Sequence, residues 1–342
     1  MLHNLKGVFM KSIILQSGYG LDKVILKEQA MPDVREDEVL IRVQCISLNQ
    51  LDLMIVRGAF GTDLPHVLGS DAVGIVERTG REVTTLKVGD VVTTHFIQNW
   101  EAGSLEAGYL KKRLGTTVSG VFSEYVALPM GSVVKIPQNL NMEEASTLPM
   151  AGLTAWEAIV NAGQLKSGQT VLLQGTGGVS IFALQFAKAL GARVILTSSD
   201  DEKLGKAKML GADEIINYSK TPDWQNKVLE ITEGNGVDLA LEMSWKDVGK
   251  TMEGMKLGGK IVVVGLMGGA NTDLSVFGIM QKSLSVLGIQ VGSKSSFEAM
   301  NKAIEHFDIR PIIDRSFNIN QFLDAFNYFD RGKHFGKVVI TF

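Results

Sequence analysis

Thr170-Val171-Leu172-Leu173-Gln174-Gly175-Thr176-Gly177-Gly178-Val179-Ser180 joins an unbroken apolar run to a glycine-rich turn, and a helix-like apolar stretch follows as far as Leu190. Glycines in such a turn permit tight curvature and let backbone N–H groups approach a phosphate with no Cβ in the way. The start of the next helix adds unpaired N–H groups and the positive end of its dipole. A glycine-rich hexapeptide alone is a weak signal, but between a strand and a helix of a regular array it is a strong one. That array is present. Apolar runs begin at Thr170, Arg193 (RVILTS), Glu214 (EIINY), Val237 (VDLALE) and Lys260 (KIVVVG), spaced 23, 21, 23 and 23 residues apart, with helix-like stretches such as Asp201 to Leu210 between them. Leu284 to Ile289 supplies a sixth strand. Near-continuous Val/Ile/Leu marks strands buried on both faces. Their alternation with helices predicts a doubly wound parallel sheet with right-handed crossovers. The fold class is α/β, and the turn predicts dinucleotide binding through Gly175, Thr176, Gly177, Gly178 and Val179, with Ser180 where a third small residue lets helix and sheet pack closely.

The chain has 342 residues, room for two domains at ~150 residues each. With 45% hydrophobic and 21% charged residues it falls among ordinary globular proteins, and its formal net charge of -3 offers nothing to a polyanion, so no nucleic acid partner is expected. Cys45 is the sole cysteine, which excludes an internal disulfide and any multi-cysteine zinc site. No apolar run reaches the ~18 residues of a membrane span. Met1 to Met10 holds too short an apolar segment for a signal peptide, so a cytoplasmic protein is expected.

The first 135 residues have another grammar. Short strand-like runs (Val39 to Ile46, Val73 to Glu77, Val88 to Thr93, Ser123 to Leu128, Val133 to Ile136) are separated by glycine and charged turns, as in a mostly antiparallel barrel or sandwich. The tail from Phe335 to Phe342 is again strand-like and can return to that first domain. The long mixed loop from Gln98 to Ser119 carries Trp100 and Tyr109, which either line a pocket or pack the loop.

The second strand's end bears on which dinucleotide is bound. NAD sites place an Asp or Glu there, ~20 residues past the glycines, for the ribose 2′-hydroxyl. Here it reads Thr197-Ser198-Ser199. Ser198, Ser199, Lys203 and Tyr218 offer the hydroxyls and cation that suit a 2′-phosphate, which favours NADPH, with NADH the alternative. The plainer readings are a solvated helix residue for Lys203, strand-end packing for Tyr218, and a helix cap and first turn for Asp200 and Asp201.

Several motifs in order resemble the medium-chain dehydrogenase/reductase superfamily, in its zinc-free quinone-oxidoreductase-like and alcohol-dehydrogenase-like branch. They are Ser47-Leu48-Asn49-Gln50-Leu51-Asp52, Leu68-Gly69-Ser70-Asp71-Ala72-Val73-Gly74, Val88-Gly89-Asp90-Val91-Val92, Leu148-Pro149-Met150-Ala151-Gly152-Leu153-Thr154-Ala155-Trp156, the glycine turn, and Gly336-Lys337-Val338-Val339. The resemblance implies a GroES-like β-barrel catalytic domain from residues 1–135 and 310–342, a Rossmann domain over residues 136–309, and a substrate cleft at their junction. In zinc members a Cys, a His and a second Cys hold the catalytic metal; motif for motif, those places hold Asn49, Ser70 and Met150 here. Asp71 corresponds to the acidic residue after the family's His. Zinc favours thiolate, imidazole and carboxylate, so no metal is expected. A makeshift set from Cys45, His66 and Asp52 or Asp71 is set against a buried thiol and a lone satisfied histidine.

Without a Lewis acid, reduction of a plain ketone leaves a strongly basic oxyanion unsupported. Hydride added to an enone or quinone instead yields a delocalised enolate or phenolate that a few hydrogen-bond donors can stabilise. The first expectation is therefore zinc-independent, NADPH-dependent reduction of a conjugated carbonyl, a small-molecule substrate. Alcohol or aldehyde dehydrogenation within the same superfamily is one alternative, and NADPH binding without catalysis is another. Asn49 is the first candidate catalytic residue, toward the nicotinamide amide or the substrate oxygen, against a loop-capping role. Asp52 orients neighbours or joins a turn; Asp71 is a cleft residue or a turn cap. By resemblance Thr154 faces the cofactor, and Val264, Gly265 and Leu266 lie beside the nicotinamide at the fifth strand's carboxyl end. A homodimer through the sheet edge near Leu284 to Ile289 is also implied.

Overall fold

The structure, a computed structural model, describes residues 9–342. The expectations placed on Met1 to Met10 lie almost wholly outside these. The chain divides into two compact units, residues 1–153 with 291–342, and residues 154–290. The strands of the first unit are β1 (Phe9–Leu15), β2 (Val24–Ala30), β3 (Glu38–Ser47), β4 (His66–Val67), β5 (Asp71–Thr79), β6 (Val91–Thr94), β7 (Tyr125–Pro129) and β8 (Val133–Lys135). The second unit holds β9 (Thr170–Gln174), β10 (Arg193–Ser198), β11 (Glu214–Asn217), β12 (Val237–Glu242), β13 (Met255–Val263) and β14 (Ser285–Gly288). The chain then rejoins the first unit with β15 (Ile313–Asn318) and β16 (Lys337–Thr341).

The dividing points differ from 135 and 310 for a visible reason. The helix Lys294–His306 buries Phe297, Met300 and Ile304 at helical spacing, and its Asn301 donates to the Lys135 carbonyl at the end of β8. Gln138 and Asn139, on the other side of the expected boundary, bond to Glu305 and to the Ile304 carbonyl of the same helix. Both segments are therefore held by the first unit.

In that unit the larger sheet runs β15-β16-β3-β5-β6-β8 with β7 also on β3, and a smaller sheet runs β2-β1-β4. The tail does return: β16 pairs antiparallel with β3, Val339 opposite Ser47. This register brings the start of β16 to the chain that leaves β3. The second unit is one parallel sheet in the order β11-β10-β9-β12-β13-β14. Leu172, Ile195, Ala240 and Ile261 from four adjacent strands are buried in one cluster with Trp224, Val228 and Met252. Strand order reverses between β9 and β12, and ligands of such sheets bind outside the carboxyl ends at that switch point. The glycine turn leaves β9 there.

Candidate functional site

In the first unit β3 ends at Ser47, and Asn49 stands as N-cap of the helix Gln50–Val56. The Asn49 amide N–H donates to Asp52 Oδ2 at 2.7 Å, so Asp52 closes the first helical turn onto its own cap. Gly69 (φ 90°) turns the chain into β5, where any Cβ would overlap the Phe122 ring. Immediately after it, Ser70 Oγ donates to Asp71 Oδ1 at 2.7 Å. Asp71 Oδ2 accepts the Met150 N–H at 3.3 Å. Met150 lies in the π-wound segment Leu148–Gly152, which continues from the helix Met142–Ser146. The Asn49 Nδ2 group reaches Ser47 O at 3.4 Å and Ser70 Oγ at 3.5 Å, both long contacts. Lys337, the first residue of β16, donates from Nζ to Leu48 O and to Asn49 Oδ1, each at 2.6 Å. Asn49, Asp52, Ser70, Asp71 and Lys337 are all buried.

The charges in this cluster are coupled. Burial pushes Asp52 up to about 8, reinforced by Asp71 and opposed by the Asn49 N–H and by Lys337. Burial also raises Asp71, against the pull of Lys337 and of its hydrogen bonds from Asn49, Ser70 and Met150. Burial lowers Lys337, while Asp71 and Asp52 hold it charged. One ammonium beside two carboxyls is neutral when one acid keeps its proton. Asp71, with more donors, is the anion, and Asp52 is the protonated partner.

In the second unit Gly175 takes φ 75°, and its N–H extends the ladder to Thr197 O at 2.7 Å. Gly177 is the N-cap of the helix Gly178–Ala189, with no side chain capping it. The first-turn N–H groups of Gly178, Val179 and Ser180 thus face out of the helix end, as a pyrophosphate requires. Ser180 Oγ donates to Gln174 O at 2.7 Å and ties that turn to β9. Thr176 is buried beside them. Val264 and Gly265 donate to Glu242 O at 3.1 and 3.3 Å, a Cβ on Gly265 would strike the Met243 carbonyl, and Leu266 is exposed. Thr154 is buried in the short helical turn Leu153–Trp156.

At the end of β10 the carboxylates are used locally. Asp200 caps its helix by accepting Lys203 N–H at 3.1 Å, and Asp201 bonds Asn217 at 2.7 Å and Lys220 at 2.5 Å. Ser198 is buried, Ser199 exposed, and Tyr218, also exposed, donates its N–H to Ser198 O at 3.1 Å. Sequence reasoning missed the network beneath the turn. Buried Glu242, at the end of β12, accepts from Gln174 (2.8 Å), Thr251 (2.6 Å) and the Ser244 and Trp245 N–H groups (3.2 and 2.9 Å). A Gln and a Glu each closing an apolar strand were its signal.

Residues 35–138 match the family model described as alcohol dehydrogenase GroES-like domain, and residues 178–306 the one described as zinc-binding dehydrogenase. A zinc-type alcohol dehydrogenase-like protein of Schizosaccharomyces pombe is 39% identical over 331 residues, covering 94% of this chain and 96% of its own. The chain belongs to the medium-chain dehydrogenase/reductase superfamily. Among solved members of this superfamily, a provisionally named alcohol dehydrogenase of Sinorhizobium meliloti 1021 superposes with a TM-score of 0.92 at 37% identity, over 98% of this chain and 99% of that one. The quinone oxidoreductase of Coxiella burnetii does so at 0.79 and 25%, over 98% and 100%. Like its relatives, this dehydrogenase/reductase is an oxidoreductase; its Rossmann-like sheet is the one the strand pattern predicted, and its GroES-like domain the one the resemblance implied.

The superfamily's catalytic zinc has to be tested against the donors present. The three motif positions do converge around Asp71, but they offer a carboxamide, a hydroxyl and a thioether. Asn49 Oδ1 is already engaged by an ammonium, which a cation at the same oxygen would oppose. Among the described residues no three His, Cys, Asp or Glu side chains are grouped to hold a metal. Cys45 lies buried in β3, and burial pushes its thiol up to about 12. These donors do not fit zinc. Trp100 and Tyr109 pack on each other, ring centroids 6.3 Å apart, and Trp100 Nε1 donates within its own loop to Gly103 O. The residue overlooked in sequence is Lys337, a lone charge opening an otherwise apolar strand.

Proposed function

We propose that this member of the superfamily is a zinc-independent, NADPH-dependent reductase of conjugated carbonyls, an enone or a quinone. The observation that carries this reading is the replacement of metal ligands by an amide donor braced by a buried ammonium, Asn49 on Lys337. A bound reduced nicotinamide supplies the hydride. The glycine turn and the uncapped helix start at Gly178 bind its pyrophosphate. Ser198 and Ser199, with Lys203 and Tyr218 nearby, receive the 2′-phosphate, and the local engagement of Asp200 and Asp201 leaves no carboxylate committed to a ribose diol. Asn49 Nδ2 donates to the acceptor's oxygen as negative charge develops there. Because that charge is shared over the conjugated system, an amide donor suffices where a plain ketone would need a Lewis acid. The proton that completes the reduction comes from solvent.

The test is NADPH consumption by the purified protein across enones, quinones, simple ketones and aldehydes, with zinc measured in the same preparation. Turnover of enones or quinones, unaffected by chelator, is expected. Stoichiometric zinc together with chelator-sensitive oxidation of simple alcohols would sink the proposal in favour of alcohol dehydrogenation, the reading that the names of the relatives favour. Fluorescence titration decides the dinucleotide, and tighter NADH than NADPH binding contradicts the serine and lysine argument.

A further inference from the structure

A lysine that is 3% exposed needs a strong reason to be where it is, because an unpaired buried ammonium is costly. Lys337 is placed by strand pairing: β16 lies antiparallel on β3, and Leu48 N–H donates to Val338 O at 3.0 Å. Its Nζ therefore arrives beside Leu48 O and Asn49 Oδ1, 2.6 Å from each. An ammonium is a donor only. It accepts one orientation of the Asn49 amide, oxygen inward, and thereby turns Nδ2 away from itself. Nδ2 then meets Ser47 O and Ser70 Oγ at 3.4 and 3.5 Å, both long contacts, and lies toward the Asp71 carboxyl. With two long contacts, its hydrogens can strengthen toward a closer acceptor. A cation on the amide oxygen also draws electron density from the nitrogen, which makes N–H a stronger donor through the chain of hydrogen bonds.

We infer that Lys337 is a positioning residue, which orients and polarises the Asn49 carboxamide so that Nδ2 donates to the oxygen of the acceptor. This rests on the reading of Asn49 as the donor toward that oxygen. Lys337 itself does not touch the acceptor. It stands in for the metal's charge at one remove, through the amide. The buried Asp71 carboxylate favours the charged ammonium against burial, so the cluster works as one unit.

The experiment compares wild type, Asn49→Ala, Lys337→Met and the double variant with NADPH and either 2-cyclohexen-1-one or 1,4-benzoquinone. Lys337→Met is expected to leave the NADPH Kd and the acceptor KM within about twofold and to lower kcat by about 10²-fold, the usual loss on disabling one oxyanion donor. The double variant should be no slower than Asn49→Ala, since residues acting as a unit are not additive. A second variant, Lys337→Gln, keeps a neutral donor to Asn49 Oδ1 and should lose about tenfold; it serves if the Met substitution does not fold. A readout apart from turnover is the Asn49 side-chain NH₂ resonance in asparagine-labelled protein, assigned by its absence in Asn49→Ala. It should move in Lys337→Met or Lys337→Gln. Unchanged kcat in a folded Lys337 variant, losses that multiply in the double variant, or an unmoved resonance would each overturn the inference. If wild type reduces neither acceptor, the proposed function falls, while the resonance still decides whether Lys337 sets the amide.

Discussion

Asp52 sits under the first turn of the helix Gln50–Val56, takes one backbone N–H, and faces a second carboxyl in a dry environment. Its folded value of about 8 lies above the ordinary 3.8, so between those limits the folded chain holds a proton that the unfolded chain has lost. Stability from this group is complete below the lower limit and is lost as pH rises through the upper one. The slope is about 1.4 kcal/mol per pH unit in mid-window. Asp52→Asn keeps an acceptor for the Asn49 N–H and removes the titration. Denaturant melts between pH 5 and pH 8 should show wild type losing stability relative to this variant as pH rises. Parallel curves would mean that Asp52 is not the protonated member of the cluster. Asp52 and Asp71 were legible in sequence because their motifs are local. Their protonation was not, since it depends on an ammonium from the opposite end of the chain.

The turn that delivers Ser70 and Asp71 shows how elements carry the site. Gly69 combines a left-handed φ of 90° with a ring packed where its side chain would be. Gly69→Ala is expected to cost about 2–4 kcal/mol, from backbone strain and displacement of Phe122 together. Thermal or denaturant unfolding measures it, and a loss below half a kcal/mol would show that the loop relaxes freely. Strands in the second unit were readable because they are buried on both faces and so nearly uniform in Val, Ile and Leu, as in β10 and β12. Of the strands missed, β1 and β4 went unread although β1 is mostly buried, and two others are different in kind. β2 and β15 (Val-Ile-Leu-Lys-Glu-Gln-Ala and Ile-Asp-Arg-Ser-Phe-Asn) are largely exposed and carry charges, and pairing with β1 and β16 rather than burial makes them strands.

At the scale of the whole molecule, β14 ends the parallel sheet with one edge unpaired among the described residues. The preceding helix Val276–Lys282 exposes Val276 (77%), Phe277 (64%) and Met280 (68%) and buries none of its residues. An open edge beside apolar side chains is normally covered, and we propose that a second copy of the chain covers it. Sedimentation at micromolar concentration should give a dimer, and Phe277→Glu with Met280→Glu should give a monomer; a monomeric wild type would remove the proposal. The strand–helix rhythm, the glycine turn and the missing zinc donors were determined by sequence alone, because each depends on burial or backbone freedom within a few residues. Only the tertiary structure decided that Lys337 braces Asn49, 288 positions away. Such a contact follows from the pairing of the last strand with the third, and no local pattern of side chains encodes which strand a returning tail will choose.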